Sequence, residues 1–356
     1  MAQVDKFLHF LVKRGGSDLH IRTNQPPVIR LDGRLQKMKL PPLTAEQVKS
    51  LMYEIMTERD RREYEAMRDT DFTYEIPGVA RFRTNAFTDM EGPAIVQRLI
   101  PFDIMTVEDL GLPQEIVDLV ELPKGIILCT GPTGCGKSTT LAALLDHANR
   151  IRSDHVVTIE DPVEFVHKNI NCIFSHRQVG AHVESFTRGL RAAFREDPDI
   201  ILVGEMRDLE TTALAIRAAE TGHLVLSTVH TTTASSTVDR IIDQFPPDRQ
   251  EQIRVMLSST LKAVIAQTLC RRKVKGRIAA FEILVVHSAV ANLIREKKTF
   301  QLPSVIQTGK KYGMRAMNES LMELVIGGFI SLDEAYSHSV AKQEMNQRVN
   351  SYLMQE

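Results

Sequence analysis

The chain has 356 residues, 43% of them hydrophobic and 25% charged, with a formal net charge of −1. That length accommodates two ordinary domains with sizeable cores. The near-zero charge removes any bulk drive toward nucleic acid or anionic lipid, so no nucleic-acid partner is expected.

Four cysteines, Cys129, Cys135, Cys172 and Cys270, stand far apart without C-x-x-C spacing. This argues against a zinc site and against a disulfide framework. The opening "MAQVDKFLHFLVKRGG" lacks the apolar core of a signal peptide, and no run of about 18 apolar residues occurs. The starting expectation is a cytoplasmic α/β protein.

Val4, Phe7, Leu8, Leu11 and Val12 recur at helical spacing, so the chain opens with an amphipathic helix. "GGSDLHIR" breaks that helix and begins a strand. "VIRLDGRLQKM" reads as a hairpin around Asp32-Gly33. Residues 44 to 67 are expected to be helical, with Thr44 as N-cap. "DFTYEIPGVARFRTNAF" is a second hairpin turning at Pro77-Gly78, and "GPAIVQRLI" a further strand. Residues 1–100 thus form a small α+β unit rich in antiparallel pairs.

"PFDIMTVEDLGLP" has the composition of a connector, placed at 101–115. Beyond it the pattern changes. Short, nearly continuous apolar runs appear, "GIILCT", "HVVTIED", "DIILVGE" and "HLVLSTVH", separated by helical segments. Runs buried on both faces and alternating with helices indicate a parallel sheet, assigned to 116–285. Residues 286–356 read as a helical tail.

"GIILCTGPTGCGKSTTLAALLDHANR" fits G-x-x-x-x-G-K-[ST] at Gly131, Gly136, Lys137 and Ser138. An apolar strand precedes the motif and a helix comes after it, the order a phosphate-binding loop requires. The alternative is an ordinary Gly-rich turn opening a helix, which would not need the strand. Thr133, Gly134, Cys135, Gly136, Lys137, Ser138 and Thr139 are the candidate nucleotide-binding residues. The glycines let backbone N–H groups turn toward phosphates, and the helix N-terminus adds its positive end. Lys137 is expected to reach the β- and γ-phosphates of ATP, and Ser138 to bind Mg²⁺.

A phosphate loop holds nucleotide but does not activate water. Two acidic strand ends are candidates for that step: Glu160 and Asp161 in "VVTIEDPVEF", and Glu205 in "IILVGEMRD". Open α/β sheets place ligands beyond the carboxyl ends of their strands, where these acids fall. In "DPDIILVGEMRD" the position before the glutamate, where a nucleotide hydrolase usually carries a metal-binding aspartate, is Gly204. His223 and His230 bracket the apolar strand of "GHLVLSTVH". Being more than about 20 Å apart, they cannot share a metal. His230 falls at the carboxyl end, suited to sensing the γ-phosphate. Arg81 and Arg83 share one face of a strand with Phe82 on the other, and Arg98 lies on the next strand. These are candidate arginine fingers.

Four motifs in order give a family resemblance: "GPTGCGKSTT", "TIEDPVEFVH", "DPDIILVGEMRDLETTALAIRAAETGH" and "GHLVLSTVHTT". The sequence resembles the type IV pilus retraction ATPases, within the bacterial secretion ATPase superfamily, over nearly its whole length. The resemblance implies a small PAS-like N-terminal domain followed by a RecA-like P-loop ATPase domain with a helical tail. It also implies that the atypical "VGE" strand keeps Glu205 as catalytic glutamate, with Glu160 and Asp161 placing water and metal. His230 would stand near the γ-phosphate, supported by His223, and arginines from the first domain would reach the nucleotide. Members work as homohexameric rings with ATP at the junction of domains and subunits. They act on an inner-membrane platform protein, and on pilin indirectly, from the cytoplasmic face.

Two segments depart from the family's pattern. The usual "AIRNLIRE" reads "AVANLIRE", with Ala291 in place of an arginine. "SHRQVGAHVESF" replaces "NQREVGxDTxSF", keeping Arg177 but not the acid after it. Other readings are a related secretion, assembly or DNA-uptake ATPase, a DNA-directed motor, and a non-catalytic nucleotide-dependent ring.

Overall fold

The computed structural model describes residues 2–31, 33–100 and 103–353. Asp32 of the first expected turn and residues 101–102 of the expected connector lie outside the described residues. The described chain divides into two compact units, one of residues 1–103 with 164–166, the other of residues 104–163 with 167–356.

The first unit is built on one antiparallel sheet. Its strands are β1 (Asp18–Arg22), β2 (Val28–Leu31), β3 (Arg34–Lys37), β4 (Asp69–Ile76), β5 (Ala80–Asp89) and β6 (Gly92–Ile100). They are ordered β3-β2-β1-β6-β5-β4. Strand β5 alternates buried and half-buried residues along its length, the period-two signature of a sheet with one face on a core. Phe82, on the buried face, packs with Leu8, Leu11, Leu19, Ile21, Met52 and Ile95. The first helix, Asp5–Arg14, closes on Gly15 in the left-handed conformation.

The helix expected over 44–67 is two helices, Ala45–Ile55 and Glu58–Met67. Thr44 caps the first through a capping box with Gln47, as expected, and Thr57 with Asp60 opens a second box. A side chain that caps a new helix N-terminus ends the preceding one, because the cap residue is extended.

The second unit holds a seven-stranded sheet ordered β13-β12-β7-β11-β10-β8-β9. Its strands are β7 (Gly125–Thr130), β8 (His155–Glu160), β9 (Ile173–Gln178), β10 (Ile200–Val203), β11 (Leu224–Val229), β12 (Leu261–Arg271) and β13 (Arg277–Val285). The four apolar runs are β7, β8, β10 and β11, mutually parallel as expected. Strands β9, β12 and β13 extend the sheet beyond them, β13 antiparallel. The runs are continuous because each strand is covered twice. Ile126, Leu128, Val157 and Val203 enter one core, while Ile127, Cys129, Val156 and Leu202 enter the other. Val107 packs into the second of these cores with Leu110 and Leu112, so part of the expected connector is seated in this unit. Helices Ser288–Arg295, Leu302–Thr308, Met317–Ile326, Leu332–His338 and Lys342–Leu353 complete the chain. No helix among the described residues is long and apolar enough to cross a membrane.

Phe82 is fully buried at the centre of the first unit's core. Phe82→Ala should remove about 3–5 kcal/mol from that unit's unfolding free energy. Urea denaturation followed by circular dichroism should show an early transition absent from the native protein.

Candidate nucleotide site

The phosphate loop joins β7 to the helix Lys137–Ile151. Gly131, Gly134 and Gly136 all have positive φ, a region closed to most side chains, and Gly136 is the helix N-cap without a side-chain cap. A Cβ on Gly131 would come within 2.3 Å of the Gln267 carbonyl and 2.7 Å of Cys135 Sγ. Only glycine fits there. The first N–H groups of an α-helix have no partner within the helix. An uncapped, glycine-built N-terminus therefore fits an anion such as a nucleotide phosphate. Lys137 is buried and curls over the loop, its Nζ donating to the carbonyls of Gly131 (2.9 Å) and Pro132 (3.1 Å). Thr133 and Gly134 are exposed at the loop's tip, and Ser138 and Thr139 are half-buried at its exit. Cys135 is buried, and burial pushes its thiol up, so it stands in the loop as a protonated thiol.

The positions of the acids are set by strand order. Strands β8 and β11 flank β10, so the carboxyl ends of all three fall on one edge with the loop. Glu160 is the last residue of β8 and is buried; Asp161 comes next and is exposed. The Asp161–Pro162 peptide is cis. Glu205 lies just past β10 with 12% of its side chain exposed. Its Oε2 is 2.6 Å from Arg207 Nε and 3.4 Å from His230 Nε2. Both contacts fall on the same oxygen.

Gly204 explains why no aspartate stands before Glu205. Its N–H donates to the Ile159 carbonyl (2.8 Å), and its own carbonyl accepts from Thr228 Oγ1 (2.6 Å). A Cβ at 204 would lie 3.3 Å from both Glu160 Cα and the Ile159 carbonyl oxygen. A side chain there would require the backbone that presents Glu160 to give by a few tenths of an ångström.

His230 is anchored through its neighbour in the chain. Thr231 N–H donates to Thr130 Oγ1 (3.0 Å), tying the end of β11 to the last residue before the loop. His223 sits at the opposite, amino end of β11, where its Nδ1 meets the Ala218 carbonyl at 2.8 Å and its ring packs on Phe194. It does not join the acids within this chain.

Arg81, Arg83 and Arg98 belong to the first unit. Arg83 and Arg98 are paired across β5 and β6, and Arg81 is two residues from Arg83, so all three share a face. Each has an acidic partner: Glu75 for Arg81 (3.5 Å), Asp71 for Arg83 (3.4 Å) and the buried Asp18 for Arg98 (2.9 Å). Burial pushes Asp18 up, but hydrogen bonds from Ser17 and Arg98 outweigh it and hold the carboxyl below its usual range.

The motif reading missed Gln267. It lies on β12, is buried, and contacts the loop through its amide nitrogen and the helix after it through its amide oxygen. Its only sequence signal is a polar residue inside the apolar stretch "LKAVIAQTLC".

A model of the family described as type II/IV secretion system protein matches residues 1–337. The chain belongs to that family, in its PilT branch. A Pseudomonas aeruginosa protein named type IV pilus retractation ATPase PilT is 48% identical over 332 residues, covering 93% of this chain and 96% of its own. A Neisseria gonorrhoeae twitching motility protein is 46% identical, covering 90% of this chain and 86% of its own. A solved pilus retraction motor PilT with bound ADP matches at TM-score 0.89 and 42% identity, over 96% of this chain and 98% of that one. This family member is accordingly a nucleotide-binding P-loop ATPase.

The positions that depart from the PilT pattern are knitted into local structure. Gln178 Oε1 accepts from the Val163 N–H (3.3 Å), and Gln178 N–H donates to His182 Nδ1 (3.0 Å). His176 Nε2 accepts from the His167 N–H, and its ring lies in a stack with Phe174 and His167. Burial holds His167 neutral, its pKa pushed down to about 3.

Gly204→Asp, which restores the expected acid, should lower turnover rather than raise it. It should also cost about 1–3 kcal/mol, because β8 must shift to admit the side chain. Thermal melting and phosphate release on one preparation check both effects.

Proposed function

We propose that this chain is the ATP-hydrolysing motor of type IV pilus retraction, working as a homohexamer at the inner face of the inner membrane. The observation that carries the reading is the Glu205–His230 pair beside a complete phosphate loop, in a chain that matches a named retraction ATPase over 93% of its length. Retraction means removal of pilin from the base of the fibre, with twitching motility as the outcome. The direct partner is an inner-membrane platform protein.

The loop N–H groups from Gly134 to Thr139 hold the phosphates, and Lys137 leaves its loop carbonyls to reach the β- and γ-oxygens. Mg²⁺ neutralises developing phosphate charge when bound. Ser138 would hold it, with Glu160 and Asp161 at the carboxyl end of β8 on the same sheet edge. Glu205 is the general base. Arg207 and His230 engage Oε2, which leaves Oε1 to accept a proton from the attacking water. His230, on the same carboxylate, links that oxygen to the γ-phosphate end. Arg81, Arg83 and Arg98 are assigned to the charge of the transferring phosphoryl group, each exchanging its present acidic partner for phosphate.

Glu205→Gln keeps the shape and hydrogen-bonding of the site but removes the base. Turnover should fall by about 10²–10⁴-fold while ADP affinity stays within about twofold. Normal hydrolysis by this variant would remove Glu205 from the chemistry. Chelating Mg²⁺ should abolish turnover in the native protein, and re-addition should restore it. In cells, loss of the gene should leave excess pili and no twitching; loss of secretion or DNA uptake with normal pili would favour a related secretion ATPase.

A further inference from the structure

A phosphate loop works only if its N–H groups face the anion. In a trans peptide the carbonyl and the following N–H point to opposite sides of the chain. Each N–H aimed at phosphate therefore turns a carbonyl into the protein. Such a carbonyl needs a donor, and leaving it without one costs about 1–3 kcal/mol.

At Cys135 the donor is Gln267. Its Nε2 donates to the Cys135 carbonyl at 2.6 Å. Its Oε1 accepts from Thr140 Oγ1 at 2.8 Å, in the first turn of the helix that leaves the loop. Its backbone carbonyl is what excludes a Cβ at Gly131, where the loop begins. One residue thus touches the loop at its start, its floor and its exit. Gln267 is 4% exposed, and the pairing of Ala266 with Thr130 holds β12 in register beside β7.

We propose that Gln267 is a positioning residue for nucleotide binding, fixing the Cys135–Gly136 peptide so that the Gly136 N–H is aimed at the phosphates. The contact is to backbone, so it is blind to which side chain stands at 135. This role rests on the phosphate-loop reading and adds to it a side chain outside the motif.

Gln267→Glu isolates the single bond. It keeps the volume and the acceptor for Thr140 but sets a carboxylate oxygen against the Cys135 carbonyl. When protonated, the new carboxyl donates again. The titratable groups beside it are Cys129 and Cys135, whose thiols burial pushes up and keeps neutral, and Lys137, which is engaged by the loop carbonyls. Binding of a fluorescent ADP analogue is the readout. At pH 8, Q267E should bind about 5- to 150-fold more weakly than the native protein. It should recover toward native affinity as the pH falls to 6, while the native protein changes little. The KM for ATP should rise in parallel with kcat nearly unchanged. Gln267→Met, similar in volume but with no donor, serves where a buried carboxyl unfolds the chain; it should show the same loss without recovery at low pH. Native affinity in either folded variant at pH 8 would overturn the proposal. Failure of the native protein to bind the analogue would instead overturn the phosphate-loop reading, and this role with it.

Discussion

Strand β10 is hydrogen-bonded between β8 and β11, and everything at the site depends on how closely its end approaches β8. Gly204 allows that approach. With no side chain there, Glu160 and Glu205 leave neighbouring strands side by side, and the Ile159 carbonyl and Thr228 hydroxyl bond directly to the turn. An aspartate at 204 would crowd this packing, its Cβ 3.3 Å from the β8 backbone. In the proposed mechanism the usual division of labour, one acid for metal and one for water on a single strand, is spread over two strands.

Two carboxylates beside an anion-binding loop would repel a nucleotide unless their charge were offset. Part of the offset is local. Glu205 is paired with Arg207, while the uncapped helix N-terminus at Gly136 supplies partial positive charge. Further cations on the first unit's sheet, Arg81, Arg83 and Arg98, are already balanced by acids. Of these pairs only Arg83–Asp71 is exposed at both ends, and an exposed pair is weak in water.

Much of this was legible in the sequence, for identifiable reasons. Strands β7, β8, β10 and β11 are buried on both faces, so they read as unbroken apolar runs. The phosphate loop has a fixed spacing because backbone geometry demands it, and His230 and the acids come directly after strands that are easily recognised. What stayed hidden depends on tertiary contact. Strand β9 is only half-buried and carries Ser175, His176, Arg177 and Gln178, so no apolar period marks it. Gln267 contributes through an amide that meets backbone far away in sequence, a relation no local pattern encodes. The division of the helix at Met56-Thr57 was written in Thr57 and Asp60, a capping box lying inside a helical pattern. His223 and His230, by contrast, were separable by spacing alone, because the strand between them sends one to each of its ends.

The central claim is that Glu205, at the end of a strand closed by glycine, activates water while the phosphate loop holds ATP. The most direct test is a structure of the assembled protein with Mg²⁺ and a non-hydrolysable ATP analogue. The account predicts a water held by Glu205 Oε1 in line with the γ-phosphate, loop N–H groups from Gly134 to Thr139 on the phosphates, and at least one of Arg81, Arg83 and Arg98 on the γ-phosphate. A water held instead by Glu160 or Asp161, with Glu205 turned away from the nucleotide, would contradict it.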